Sequence, residues 1–135
     1  MKKALLTGVA VLFLTMGTAQ AAEVDENSAN FWLPHCKRDF EQMRGHNALE
    51  ITQAAHYTAM CFGIIEGIAY TLDVNWMMIR DHKASGKICI NLPKHITKRQ
   101  IRLVVIKWIE ERPEEMHDEF RELALRALIY TWPCK

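Results

Sequence analysis

Four cysteines, six histidines and a short run of glutamates are the residues of this chain that could do chemistry. Cys36, Cys61, Cys89 and Cys134 include no pair at C-x-x-C spacing, so zinc-ribbon, thioredoxin-type and c-haem motifs are absent. His35 adjoins Cys36, but a nucleophilic Cys–His site needs a free thiol. His46, His56, His82, His95 and His117 are scattered, and neither H-x-x-x-H nor H-E-x-x-H occurs. They read as surface or capping groups. Glu110, Glu111, Glu114 and Glu115 could supply the paired carboxylates of a glycosidase. They fall where one predicted helix gives way to the next, and charge at an exposed corner is ordinary. The chain has no G-x-S-x-G, no S-x-x-K and no glycine-rich phosphate loop. Trp32, Trp76, Trp108 and Trp132 read as core residues, and Lys94, Lys98, Arg99, Arg102 and Lys107 as a solvated helix face. The expectation is a protein without catalytic residues, metal or cofactor, one that binds and does not turn over.

The N-terminus addresses the compartment. Lys2 and Lys3 precede an apolar run from Ala4 to Met16, and Ala19-Gln20-Ala21 is a small-x-small cleavage site. This is the pattern of a secretory signal peptide over residues 1–21, with too short an apolar run to span a membrane. Residues 22–135 then form a single domain in the periplasm, with no membrane insertion after cleavage. Losing Lys2 and Lys3 takes the 17 basic residues to 15 against 16 acidic ones, which gives no electrostatic reason to bind nucleic acid. An even number of cysteines in an oxidising compartment predicts two disulfides, and four cysteines allow three pairings.

The elements that would hold these residues are helical. A short helix is expected to start at Ser28 or Asn30, with Pro34 in its first turn. Arg44-Gly45-His46-Asn47 reads as a turn. A long helix follows over about 48–73, where Ile51, Ala54, Thr58, Cys61, Ile65, Ile68 and Leu72 recur at three- and four-residue steps. Gly63 and Gly67 share a face of it, a costly choice unless another backbone approaches there. Residues 75–94 look irregular, with a polar run from Asp81 to Lys87 and a brief extended piece at Ile88–Ile90. Thr97 and Gln100 form a capping box, with Ile96 and Ile101 placed as a hydrophobic staple. The helix they open carries Ile101, Val104, Val105, Trp108 and Ile109 on one face. Pro113 suits the first position of a last helix, expected over 113–131, with Met116, Phe120, Leu123, Ala127 and Leu128 as its stripe. The fold class is all-α, a small disulfide-stapled bundle of about four to five helices.

The short turn between the last two helices makes them antiparallel, which brings Cys134 beside Cys89 and leaves Cys36 for Cys61.

Four stretches carry a resemblance: LPHCKRDF, MCFGIIEGI, ICINLPKHITKRQIRLVVIKWIEERPEEMHDEF and ALRALIYTWPC. In order they give a Cys, then C-x-G-x-x-x-G, C-x-x-x-P, T-x-x-Q-x-x-x-V-V-x-x-W, Pro, His and a final P-C, from about Ala29 to Cys134. This set resembles the Rap/Tai-type periplasmic immunity proteins. The resemblance implies a helical, disulfide-bonded domain that neutralises a peptidoglycan-cleaving amidase toxin of type VI secretion, working as a homodimer that plugs the toxin's groove. On that reading the matched residues are structural, and the inhibitory surface lies in the variable part. Asp81, His82, Lys83, Ser85 and Lys87 are the candidate partner-binding residues, because an exposed polar loop can enter a groove. Two other readings stand beside it. One is a periplasmic stress chaperone or adaptor-type binding protein. The other is a cell-wall hydrolase using Glu66 or Glu115.

Overall fold

The computed structural model describes residues 23–38, 43–80 and 88–134. The expected signal peptide and the Asp81–Lys87 run lie outside them. Four α-helices are found there: α1 (Ala29–Cys36), α2 (Ala48–Arg80), α3 (Lys98–Glu110) and α4 (Phe120–Thr131), with a 3-10 turn at Pro113–Glu115. The all-α class and the small bundle expected from the sequence are what the structure has. α2 is the long member, and α1, α3 and α4 all pack on it, with α3 also against α4. Leu33 from α1, Cys61, Ile65, Ala69 and Leu72 from α2, Ile101, Val105 and Ile109 from α3, and Phe120, Leu123 and Leu128 from α4 close one core.

α2 opens after a turn in which Gly45 takes a positive φ of 96°. The Asn47 side chain accepts from the Glu50 amide at 3.0 Å, one of the orphan donors of the first turn. The helix does not stop near residue 73. It runs on to Arg80, because nothing between Asp73 and Arg80 is Gly or Pro, and the isolated polar residues Asp73 and Asn75 do not break a helix. Trp76, Met77 and Met78 are therefore helical. α3 starts as its sequence prescribes. Thr97 is the N-cap, its hydroxyl accepts from the Gln100 amide at 3.2 Å, and its own amide donates to Gln100 Oε1 at 2.8 Å. His95, two residues earlier, takes a positive φ of 66° in the turn leading into the cap.

Two expectations need correction. Pro34 lies at the sixth position of α1, past the first turn, because the helix already begins at Ala29. The last helix begins at Phe120, not at Pro113. The second has a cause in the tertiary structure. The amides of Ala29 and Asn30 donate to the carbonyls of Asp118 and Met116, at 3.0 and 2.8 Å, and the Phe120 amide donates to Asn27 O at 2.8 Å. Residues 116–119 thus use their backbone groups to cap α1 from another part of the chain. A continuous helix would have turned those carbonyls inward along its own axis. Arg126 secures this corner by reaching Glu115 at 3.0 Å and Asp118 at 2.8 Å.

Cys36 is bonded to Cys61 and Cys89 to Cys134, with Cα separations of 5.5 and 5.9 Å. The connection between α3 and α4 is longer than a tight turn. The chain still doubles back, and Ile90 bridges Pro133 while the Asn91 amide donates to Trp132 O at 2.9 Å.

Candidate functional site

Several of the groups that could have reacted are held in pairs. His35 faces no thiol, since Cys36 is oxidised. Its ring stacks on Tyr57 with centroids 4.7 Å apart, and Arg38 lies 3.3 Å from its Nδ1. Burial, and then the Arg38 charge, push its pKa below the usual histidine value. His46 pairs with Glu50 at 2.8 Å, and that hydrogen bond pulls the Glu50 carboxyl below its usual range. Both pairs line a cleft of about 420 Å³ between α1 and the start of α2. The corner carboxylates do not converge on a common point. Glu110 pairs with Lys37, Glu111 with Lys107 and Glu115 with Arg126. Glu66 is held between Lys98 at 3.2 Å and Arg102 at 3.5 Å. Glu66 is thus held by two cations and Glu115 by one. No group of three or more His, Cys, Asp or Glu among the described residues could hold a metal ion.

The tryptophans pack. Trp32 stacks on Phe120 at 6.2 Å, and Arg112 lies over the Trp108 ring at 3.7 Å. Both indoles, with Trp132, rest against the core. Of the basic face, Lys98 and Arg102 meet Glu66, and Arg102 also covers Phe62 at 4.1 Å.

What the frame builds is a pair of anchors. Asp81, His82, Lys83, Ser85 and Lys87, the candidate contact residues, lie outside the described residues, but the chain on either side of them is fixed. It leaves from the end of α2. It returns at Ile88, whose carbonyl accepts from the Asn75 side-chain amide. One residue on, Cys89 is bolted to Cys134, and Ile90 is fully buried. Beside these anchors Met77, Met78 and Ile88 are exposed large apolar side chains, at 41, 45 and 56 %. The sequence reading missed them as surface residues. The signal was available: with α2 extended to Arg80, Met77 and Met78 fall off the Cys61–Ile65–Leu72 stripe. Among the described residues no reactive groups converge, and exposed apolar side chains flank the two anchors.

The fold defines a small, disulfide-stapled helical domain. The particular family follows from comparison: the family model of the Rap1a immunity proteins matches residues 28–134, and the chain belongs to that family. No curated protein and no solved structure matches it. Membership gives the chain an immunity role, the binding of a toxin partner, within a family that is generally non-catalytic. No helix among the described residues is long and apolar enough to cross a membrane.

Proposed function

We propose that this protein is exported, loses residues 1–21, and in the periplasm binds and blocks a peptidoglycan amidase delivered by type VI secretion. Residues 22–135 act as one immunity domain, and the working form is a homodimer. The observation that carries this reading is the family match across nearly all of the domain. Three further points agree with it. The signal-peptide pattern and two disulfides suit an oxidising compartment. His35, His46, Glu66, Glu110, Glu111 and Glu115 are each engaged in a pair, which favours inhibition by occlusion. Finally, the segment holding Asp81, His82, Lys83, Ser85 and Lys87 is tethered at both ends to a stapled frame, so little ordering of its ends would be lost on binding.

The test is reconstitution with a peptidoglycan amidase effector of type VI secretion from the same genome. The purified protein should abolish release of cleaved muropeptides at stoichiometric amounts and show no release alone. Met77→Asp and Ile88→Asp should weaken the complex by roughly 10-fold or more with little change in melting temperature, because both side chains are exposed in the free protein. Inhibition unaffected by either substitution removes the end of α2 from the contact surface. Failure to bind any such amidase removes the target class.

A further inference from the structure

Charge is divided unevenly along this chain. From Ile88 to Ile109 there are five Lys and Arg and no Asp or Glu, while the rest of residues 22–135 has ten against all 16 acids. A nearly neutral protein is therefore two-signed, and its positive part is α3 with the residues that lead into it. The fold gains little from that placement. α2 and α4 carry acids in their first turns, Glu50 and Glu122, where the helix dipole favours them. α3 has none there and opens with Lys98 and Arg99, against its dipole. Lys98 and Arg102 are taken up in holding Glu66. Among the described residues Lys94 and Arg99 have no carboxylate partner.

These cations border two hollows that share one wall, Leu103, an apolar side chain 53 % exposed. The first, of about 430 Å³, lies between the lead into α3 and the end of α4, where Pro93, Lys94, His95, Ile96 and Trp132 line it. The second, of about 220 Å³, lies on the other side of Leu103, against Phe62, Arg99, Arg102 and Ile106. No acid lines either. The walls of the first are tied in place. The capping box holds Gln100, the Asn91 amide donates to Trp132 O at 2.9 Å, and the Cys89–Cys134 bridge closes beside them.

We propose that this face of α3 receives an acidic patch of the toxin partner, with an apolar side chain seated beside Leu103 and Asp or Glu residues around it. The inference rests on the immunity reading above for who the partner is, and adds the chemistry by which that partner is recognised. An apolar wall with an aromatic ring supplies binding energy, and a rim of one sign selects the opposite sign and speeds encounter. A bilayer suits the charge but not the shape. Leu103 is the one large apolar side chain of α3 that stands exposed, and Ile96, Val104 and Trp132 are half-buried in the walls. A lipid surface is entered by apolar residues that protrude from the protein, whereas concave walls receive a residue that protrudes from a partner.

The test measures the kinetics of binding to the purified type VI amidase effector by stopped-flow fluorescence. The association rate should fall on the order of 10-fold between about 50 and about 500 mM NaCl. Arg99→Glu should slow association on the order of 5-fold or more. Arg121→Glu, the same change of charge at an exposed site on α4, should alter it by less than about 2-fold. Leu103→Asp should speed dissociation by about 10-fold or more. Melting separates this role from a structural one: Arg99→Glu puts an acid in the first turn of α3, so the melting temperature should hold or rise while binding weakens. A complex whose rates ignore both Arg99→Glu and Leu103→Asp overturns the proposal and leaves the immunity reading standing. A melting temperature that falls together with affinity in Arg99→Glu also overturns it, and assigns the cations to the fold. An effector that does not bind the unaltered protein at all removes the immunity reading as well. Binding to vesicles of phosphatidylethanolamine and phosphatidylglycerol, lost in Arg99→Glu while the effector rates stay unchanged, gives the face to a membrane instead.

Discussion

Removing the Cys36–Cys61 bridge is the perturbation whose cost the structure allows to be worked out. The bond closes a separation of 25 residues. In the chain-entropy treatment such a loop contributes roughly 3.5 kcal/mol, by restricting the unfolded chain. The native side adds to this. Cys61 is fully buried and Cys36 is 4 % exposed, so replacing both by alanine also empties the space of two sulfurs in the core. α1 is only eight residues long, far below the length at which a helix stands alone. Other ties to α1 remain, among them the Thr58 hydroxyl on His35 O at 3.1 Å, the two amide bonds from Ala29 and Asn30, and the ring contacts with Tyr57 and Phe120. The double variant Cys36→Ala/Cys61→Ala, with Cys89–Cys134 left oxidised, should therefore lose about 3–5 kcal/mol in urea unfolding. At roughly 4 °C per kcal/mol, that is about 12–20 °C in melting temperature. The loss should appear with a larger m-value, because the unfolded chain without the bridge exposes more surface, measured by circular dichroism and tryptophan fluorescence together. A loss under about 1 kcal/mol would refute the reasoning. It would mean that the backbone ties to residues 116–118 hold α1 and that the staple is redundant.

Phe120→Ala should cost about 3–5 kcal/mol in the same assay, because the ring is fully buried at the junction of α4 with Trp32. Thr97→Ala should cost about 1 kcal/mol, the worth of a capping box, and Thr97→Ser should restore most of it. His35 gives a pH dependence of definite sign. Its folded pKa lies below the usual 6.5, so the unfolded chain takes up the proton first. Its contribution is complete above about pH 6.5 and is lost as pH falls from there through the lower folded value. His35→Gln should flatten the stability–pH curve between about pH 7 and pH 5, and an unchanged slope there would assign acid sensitivity to other groups.

Local chemistry was legible wherever a few neighbouring residues decide the outcome. Thr97 and Gln100 satisfy each other's backbone groups within one turn, so the start of α3 could be read without its neighbours. The three- and four-residue steps of Cys61, Ile65 and Leu72 gave the buried side of α2, since helical periodicity is a property of the chain itself. The opposite side could not be read as well. Gly63 and Gly67 imply a close neighbour, but only the packed structure shows that no other described part of the chain supplies it. Met77 and Met78 became surface residues only once α2 was seen to continue to Arg80, a length set by how far a helix is supported along its core.

By itself, then, the sequence determined an all-helical, twice-bridged domain, because apolar spacing, capping residues and an even set of cysteines act over short distances or in the unfolded chain. Where α4 begins was decided only by tertiary structure. The carbonyls of Met116 and Asp118 are taken by amides some 86–89 residues away in the chain, at Asn30 and Ala29. A backbone group bonds to whichever partner folding brings within reach, and no local pattern records that partner.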